Sequence, residues 1–168
     1  TQSGNRIFFQ VGNRDFVLGQ KFLDRFGGQL LADVDYITVG DLNIRLEHGD
    51  ALCTDDVSYQ KFRKVIRNPF LLGLLKRTPL AFRKRLATGF RQKSQQANQM
   101  KSYDVMDVNQ QAVEKALIHV DLLIHGHTHR PEIHNVNGKK RIVLGDWRES
   151  SAEILELKNG SNLSLSTW

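Results

Sequence analysis

The feature that most constrains the fold is a short apolar run that ends in three closely spaced histidines. Residues 122–124 read Leu-Leu-Ile, and residues 125–129 read His-Gly-His-Thr-His. Such a run is typical of a buried strand, and a glycine turn after a strand can direct alternate side chains toward one point above the sheet edge. Because neutral imidazole is a common metal ligand, the pattern predicts a metal site in which His127 and His129 fit best. The alternative is that one histidine caps a backbone group while the others face water.

Length and composition indicate one globular domain. The chain has 168 residues, of which 40% are hydrophobic, so it is large enough to bury a core. The single cysteine, Cys53, excludes an internal disulfide framework. The polar first residues, Thr1–Arg6, lack the apolar core of a secretory signal, and no stretch is long enough to span a bilayer.

The positive charge is concentrated in one segment. Residues 57–103 contain 12 of the 24 lysines and arginines and no aspartate or glutamate, which makes the segment +12 and the remainder −6. We expect helices at 58–67 and from Pro79 to about residue 100, with a short apolar piece, 70–75, between them. Apolar residues interleaved with basic ones suit an anionic lipid surface. A nucleic-acid-binding helix and a packed subdomain with a solvated charged side remain alternatives, although readout motifs for nucleic acid are scarce.

The N-terminal part reads as a strand, a turn and a helix. Residues 7–11 form an apolar run that ends in Gly-Asn-Arg-Asp at 12–15, and apolar residues from Phe16 to Phe26 recur at helical spacing. Asp15 could cap this helix, and Gly27 and Gly28 would stop it. The sequence alone leaves the loop at 12–15 either functional or an ordinary strand-to-helix connection.

A second strand end also carries a histidine. Residues 35–39 and 42–47 flank Gly-Asp, which predicts a hairpin, and the second strand leads into His48. Ligands of open α/β sheets bind beyond the carboxyl ends of the strands. We therefore expect Asn13, His48 and His127 to converge on one site; a hydrogen-bonded turn histidine at position 48 is the alternative.

The remaining elements complete a layered α/β arrangement. Residues 105–119 read as one amphipathic helix that feeds the histidine-bearing strand. Asn-Gly pairs predict hairpins between 133–136 and 140–144 and between 152–158 and 162–166. Four polar residues of the basic segment are spaced to lie in one helical stripe that suits phosphate or amide groups: Arg91, Ser94, Asn98 and Lys101.

Several blocks of the chain carry a family resemblance. Residues 12–15, 48–50 and 126–129 resemble the later motifs of the calcineurin-like metallophosphoesterases. The blocks at 48–56, 94–98 and 106–110 closely resemble the UDP-2,3-diacylglucosamine pyrophosphatases of lipid A biosynthesis, and the match runs through essentially the whole chain. The resemblance implies a layered metallophosphoesterase α/β sheet, incomplete at its N-terminus. Residues 1–168 would form a single domain and 57–103 an inserted basic helical lid over acyl chains.

The resemblance also implies a reaction. The family uses two Mn²⁺ ions and water to cut UDP-2,3-diacylglucosamine into UMP and 2,3-diacylglucosamine 1-phosphate. It works as a peripheral protein at the cytoplasmic face of the inner membrane. We accordingly expect this substrate and the anionic membrane surface as partners, with no nucleic acid and no obligate protein partner.

Site residues follow from the matching motif positions. Asn13, His48 and His127 would bind one ion and His129 the other, and no protein nucleophile is expected because metal-activated water attacks. Seven residues would contact substrate: Asn13, Arg14, Asp56, Ser94, Asn98, Lys101 and His127.

The family's first two motifs, an Asp-x-His strand end and a Gly-Asp block with a bridging aspartate, would precede the loop at 12–15, and no aspartate or glutamate lies before Asp15. Without the bridging carboxylate two cations would repel each other. We therefore expect this chain to hold at most one metal ion tightly and to hydrolyse substrate poorly. A phosphoesterase acting on a soluble phosphodiester and a non-catalytic basic module that binds membrane or nucleic acid are the alternative functions.

Overall fold

The computed structural model describes residues 4–99, 101–158 and 162–168. The strands of these ranges are β1 (Ile7–Phe9), β2 (Gly28–Leu30), β3 (Val34–Val39), β4 (Leu42–Glu47), β5 (Leu122–His125), β6 (Glu132–Val136), β7 (Lys139–Val143), β8 (Glu153–Lys158) and β9 (Asn162–Thr167). The α-helices are α1 (Gln20–Leu23), α2 (Val57–Ile66), α3 (Pro69–Arg77), α4 (Leu80–Gln99), α5 (Tyr103–Met106) and α6 (Gln110–Ala116), and a 3-10 turn spans Asp24–Phe26.

A five-stranded mixed sheet forms the centre of the molecule, in the order β3-β4-β5-β7-β6. Strands β4, β5 and β7 are parallel, while β3 and β6 are antiparallel edge strands. Two smaller pairs, parallel β1-β2 and antiparallel β8-β9, complete the β structure of the described residues. The predicted α/β class is confirmed.

The alternating side chains of β5 supply apolar residues to two cores, one on each face of the sheet. Leu123 packs in a cluster with Val113 and Leu117 from the α6 side. Leu122 and Ile124 belong to a second cluster, which the leucines of β8 and β9 cover. Since both faces of β5 are covered, the strand is apolar throughout rather than alternating.

The three predicted hairpins are present. Val39 pairs with Leu42 across a two-residue turn between β3 and β4. Asn137 and Gly138 both adopt positive φ between β6 and β7, which matches the right-handed twist of the flanking strands. Strands β8 and β9 pair as expected, and their turn, residues 159–161, lies outside the described residues.

The predicted helix at 16–26 is wrong in its extent. The helix begins only after Gly19, whose extended backbone marks the boundary, and a 3-10 turn follows it. Asp15 does not cap a helix, because its carboxylate accepts a hydrogen bond from the backbone N–H of Gly12. Gly27 ends the 3-10 turn with positive φ, so the predicted stop is confirmed.

The single helix predicted at 105–119 is also wrong, because it is two helices with a break between them. The side chain of Asp107 accepts a hydrogen bond from the N–H of Val108, and the side chain of Asn109 accepts one from the N–H of Ala112. Both short polar side chains compete with the helical hydrogen-bond pattern, and Asn109 becomes the N-cap of α6.

The basic segment is helical, as predicted. Asp56 caps α2, and Asn68 caps α3 with Pro69 in its first turn. The rings of Phe62 and Phe90 meet edge to face at 5.3 Å and connect α2 with α4. The domain boundaries, with 57–103 as an inserted lid, stay a prediction. Across the described ranges, no helix combines the length and the apolar character needed to cross a bilayer.

The predicted polar stripe does not hold for Lys101, which lies beyond the end of α4 rather than on it. Its ammonium group donates hydrogen bonds to the Asp56 carboxylate and to the hydroxyl of Ser58. The pairing therefore directs Lys101 toward the start of α2. The side chain of Asn98 lies outside the described residues.

Candidate metal and phosphate site

A cleft of about 650 Å³ opens at the carboxyl ends of β4 and β5. The structure brings most of the sequence-predicted site residues to its lining: Asn13, Arg14, His48, Asp56, Ser94, His127 and His129. Lys101 reaches the cleft through its ion pair with Asp56. The expected convergence of the three strand-end turns is thus present in the fold, while the role of each residue stays a prediction.

The sheet register explains why two of the histidines meet. Strands β4 and β5 are parallel with Glu47 opposite His125, so both strands end at the same edge. The N–H of Gly126 donates a hydrogen bond to the carbonyl of His48 at 3.0 Å, which joins the two turns. The imidazole rings of His48 and His127 consequently lie 5.1 Å apart between centroids, at an interplanar angle of 71°.

A close approach of backbone to ring sets the position of His48. A Cβ placed on Gly12 would lie 2.8 Å from Cε1 of His48, which is closer than carbon atoms pack. The loop at 12–15 can therefore lie against the imidazole only with glycine at this position. The hydrogen bond from Gly12 to Asp15 closes the loop and keeps Asn13 and Arg14 at the cleft.

Burial keeps the clustered imidazoles neutral. The pKa of His48 is lowered to about 4, mainly because burial disfavours the charged ring, and the charges of His127, Arg67 and His129 lower it further, against the carboxylate of Asp50. The pKa of His127 is lowered for the same first reason. Both rings therefore keep a lone pair on nitrogen at neutral pH.

The donors present suit a divalent cation. Nε2 of His48 is buried and, among the described residues, has no hydrogen-bond partner. A neutral imidazole with a free nitrogen is the state that binds metal, and the Asn13 amide can add an oxygen ligand. In the parts of the chain that the structure describes, no three His, Cys, Asp or Glu residues are grouped to hold an ion by themselves.

A positively charged side chain lies beside these donors. The guanidinium of Arg14 is one of the charges that lower the pKa of His127, after burial and His129. A planar guanidinium can bind two phosphate oxygens at once. The cleft therefore offers an anion-binding group beside the candidate metal ligands.

The lining of the cleft also includes a partly buried ion pair. Lys101 Nζ lies 2.6 Å from Asp56 Oδ2, and Asp56 also accepts hydrogen bonds from Ser58 and from the N–H of Tyr59. Burial alone would raise the pKa of Asp56, but these partners, led by Lys101, lower it. The carboxylate is ionised and its orientation is determined by three donors.

Sequence reasoning missed several residues of the lining. Tyr59, from the first turn of α2, lies against the ring of His127, and Asp107 and Asp146 also line the cleft. For Tyr59 there was a usable signal, because it lies three residues after Asp56 in a predicted first helical turn. Asp107 lies in the block at 106–110 that carries the family resemblance, whereas Asp146 lies in an irregular segment where the sequence has no comparable pattern.

Comparisons with known proteins agree with the motifs. No protein-family model matches the chain. The chain is 46% identical to the UDP-2,3-diacylglucosamine hydrolase of Haemophilus influenzae strain PittGG, over 94% of this chain and 67% of that protein. It is 47% identical to the protein of the same name from Vibrio parahaemolyticus, over 97% of this chain and 70% of that one.

Solved structures overlap less closely. An archaeal phosphodiesterase matches with a TM-score of 0.48 and 14% identity over 96% of this chain and 68% of that one. Vps29 from Entamoeba histolytica, complexed with zinc, matches with a TM-score of 0.36 and 16% identity over 97% of this chain and 96% of that one. Because both TM-scores are below 0.5, the family assignment comes from the curated relatives.

The protein is a mixed α/β protein with a histidine-lined cleft beyond the carboxyl ends of its parallel strands, which is the arrangement that the metallophosphoesterase-like motifs predict. The chain belongs to the UDP-2,3-diacylglucosamine hydrolase family, since relatives at 46% and 47% identity match nearly all of it. It spans about two thirds of the length of those relatives.

Proposed function

We propose that the protein hydrolyses the pyrophosphate bond of UDP-2,3-diacylglucosamine, giving UMP and 2,3-diacylglucosamine 1-phosphate in lipid A biosynthesis. The observation that carries the proposal is the His48–His127 pair, two neutral imidazoles 5.1 Å apart beside Arg14. Family membership supports the choice of substrate, because the curated relatives are named for hydrolysis of UDP-2,3-diacylglucosamine.

Some residues of the cleft would bind the metal and others the substrate. Asn13, His48 and His127 would hold one divalent cation, and His129 would contribute to a second. A cation in this position would supply Lewis-acid stabilisation of the attacked phosphoryl group and activate water for attack. We propose Mn²⁺, which the motif resemblance implies and which accepts nitrogen and oxygen ligands. Because His129 alone would be left for the second ion, we expect at most one ion to be held tightly.

The charged side chains would orient the substrate. Arg14 would bind oxygens of the pyrophosphate through its forked guanidinium. Asp56 and Lys101, already paired with each other, would exchange part of that pairing for contacts with the polar head of the substrate. Ser94 would add a hydroxyl donor from α4, and Asn98 is proposed for the same wall.

Substrate preference and histidine variants test this proposal together. We expect release of UMP from UDP-2,3-diacylglucosamine and little cleavage of a soluble aryl phosphodiester. His48→Ala and His127→Ala should each lower kcat/KM by about 10²-fold or more, since each removes a ligand. His119→Ala, at an exposed position before β5, is the matched control. Equal cleavage of both substrates, or a wild-type rate in His48→Ala, would contradict the proposal.

Metal stoichiometry is a separate measurement. Calorimetric titration of the 168-residue chain with Mn²⁺ should give at most one tight equivalent, which His48→Ala removes and His119→Ala retains. Two tight equivalents would show that other groups complete a second site.

We propose that the helical segment docks on an anionic membrane at the inner-membrane face. Phe70 is 80% exposed, and Leu71 and Leu74 are exposed on the same short helix, α3. Lys76 and Arg77 end that helix. Apolar groups can enter the interface while the lysines and arginines contact lipid head groups.

Vesicle binding tests the membrane proposal. Cosedimentation with vesicles that contain anionic lipid should be stronger than with zwitterionic vesicles, and F70S with L74S should reduce it at least tenfold. Trp168→Ser is the control, because Trp168 is 84% exposed but follows β9. If Trp168→Ser reduced binding as much as the α3 variants, α3 would have no special role.

A further inference from the structure

Tyr59 joins the helical segment to the histidine pair. It lies in the first turn of α2, where its own N–H donates to the capping carboxylate of Asp56. Its ring stacks on the imidazole of His127 with centroids 6.2 Å apart and an interplanar angle of 25°. His127 also meets His48 edge to face. The orientation of the His127 ring is thus restricted by two aromatic neighbours.

The hydroxyl of Tyr59 is fixed by a buried carboxylate. It donates to Oδ2 of Asp50 at 2.6 Å, the length of a charge-assisted hydrogen bond. Asp50 is 1% exposed and lies two residues after His48. The same oxygen accepts from Arg63 at 3.0 Å and from Arg67 at 3.2 Å, both from α2.

These partners keep Asp50 ionised. Burial alone would raise the pKa of this carboxyl, but the Tyr59 hydroxyl and the two arginines outweigh burial and lower it. Burial and the adjacent Asp50 charge raise the pKa of Tyr59, so its hydroxyl remains a donor.

We propose that Tyr59 is a positioning residue of the site: with its hydroxyl held by Asp50, its ring fixes the orientation of the His127 imidazole toward the cation. The inference deepens the proposed function and rests on it for the kinetic readout. Through Asp50, Tyr59 and the two arginines link α2 to the turn that follows His48. Tyr59 acts on the reaction through His127, without a chemical step of its own.

The chain offers a matched pair of variants. Y59F removes only the hydroxyl and leaves Asp50 paired with both arginines, so the protein should fold. D33N removes the other carboxylate of the same arginine pair, since Asp33 binds Arg63 at 3.2 Å and Arg67 at 2.6 Å without touching Tyr59. A purely structural network would respond similarly to the two changes.

The readouts are kinetics, metal affinity and the imidazole resonances of His127. In Y59F we expect kcat for UDP-2,3-diacylglucosamine to fall about tenfold with KM within twofold, since substrate groups are untouched. Mn²⁺ affinity should fall about tenfold, as for loss of a group that orients a ligand. The ¹⁵N resonances of His127 in the metal-free protein should move. D33N should match the wild type in all three.

Two results would overturn the inference. The first is a Y59F variant with wild-type kcat, metal affinity and His127 resonances. The second is a D33N variant that shows the same losses as Y59F, which would assign the network to stability alone. If the wild-type protein failed to hydrolyse UDP-2,3-diacylglucosamine, the proposed function would fall, whereas the resonance and metal measurements would still decide the role of Tyr59.

Discussion

Replacement of Gly12 by alanine is the most direct test of the site geometry. The new methyl carbon would lie 2.8 Å from Cε1 and 3.1 Å from Nδ1 of His48. Carbon atoms pack at about 3.5–4.0 Å, so the ring or the loop must move by about 1 Å. The backbone itself accepts alanine, because Gly12 is not among the glycines with positive φ. The effect therefore comes from crowding of the His48 ring, with a weaker contact of 3.2 Å to Oδ1 of Asp15 in the same loop.

The magnitude follows from how little displacement a metal site tolerates. Metal–ligand distances vary by only about 0.2 Å, so a shift of about 1 Å removes His48 from the shell. We expect Mn²⁺ affinity to fall about 10–100-fold and kcat/KM to fall about 10²-fold. Crowding should cost about 1–3 kcal/mol of unfolding free energy, partly offset by about 0.4–1 kcal/mol from the stiffer unfolded chain.

The assay combines calorimetry with Mn²⁺, steady-state kinetics and urea unfolding. Gly89→Ala is the control, because a Cβ there meets nothing within 4 Å. It should raise the unfolding free energy by up to about 1 kcal/mol, since Gly89 lies inside α4, and leave the metal affinity unchanged. A folded Gly12→Ala variant with wild-type Mn²⁺ affinity would refute the reasoning, because His48 would then not be held as a ligand by this contact.

Two further predictions use pKa shifts. Burial, with four nearby carboxylates, raises the pKa of Cys53 to about 12. Iodoacetamide at pH 8 should therefore alkylate the native thiol about 10³-fold more slowly than the urea-unfolded one. Mass spectrometry measures both alkylation rates. The pKa of Asp56 is lower in the folded protein than in the unfolded chain. Ionised Asp56 therefore stabilises the fold at pH values above its unfolded pKa, and this stabilisation is lost as the pH falls through its folded pKa. Lys101→Met should therefore lower the urea midpoint at pH 7 and weaken its decline below about pH 4.

Controls for these two predictions come from exposed positions. Lys158→Met removes the exposed ion pair with Glu156, so it should change neither the urea midpoint nor its pH dependence measurably. Alkylation of native Cys53 at the unfolded rate would contradict its burial. An unchanged acid profile in Lys101→Met would show that Lys101 does not hold the Asp56 carboxylate in its ionised form.

Local patterns predict much of the fold. The Asn-Gly pair between β6 and β7 requires positive φ at both positions, and the structure has it at Asn137 and Gly138. The continuous apolar run of β5 predicts a strand covered on both faces, and both clusters are present. Each of these features depends on residues close together in the chain, so the sequence suffices to predict it.

The errors arise where short polar side chains compete with helical periodicity. Apolar spacing at 16–26 and 105–119 favours long helices. The extended backbone of Gly19 delays the first helix, and the side chains of Asp107 and Asn109 accept hydrogen bonds from nearby backbone N–H groups and break the second. Such bonds are hard to foresee, because the same residue types also cap helices without shortening them. Lys101 is a related case. Its spacing predicts a position on the polar stripe of α4, but its ion pair with Asp56, which is distant in the sequence, directs it toward the start of α2.

The site motif shows a different limit of sequence reasoning. His127 and His129 adopt φ of 66° and 52°, a left-handed conformation that is uncommon for residues with a Cβ and costs about 1–3 kcal/mol at sparsely populated positions. The surrounding structure opposes relaxation, since Gly126 donates to His48 and Thr128 donates to the Gly126 carbonyl at 2.8 Å. The sequence shows the three histidines and their spacing. It does not show the hydrogen bond from Gly126 to the carbonyl of His48, after β4, that holds the turn in its strained form. The motif therefore predicts the chemistry, and the sheet register explains how the histidine side chains are brought together.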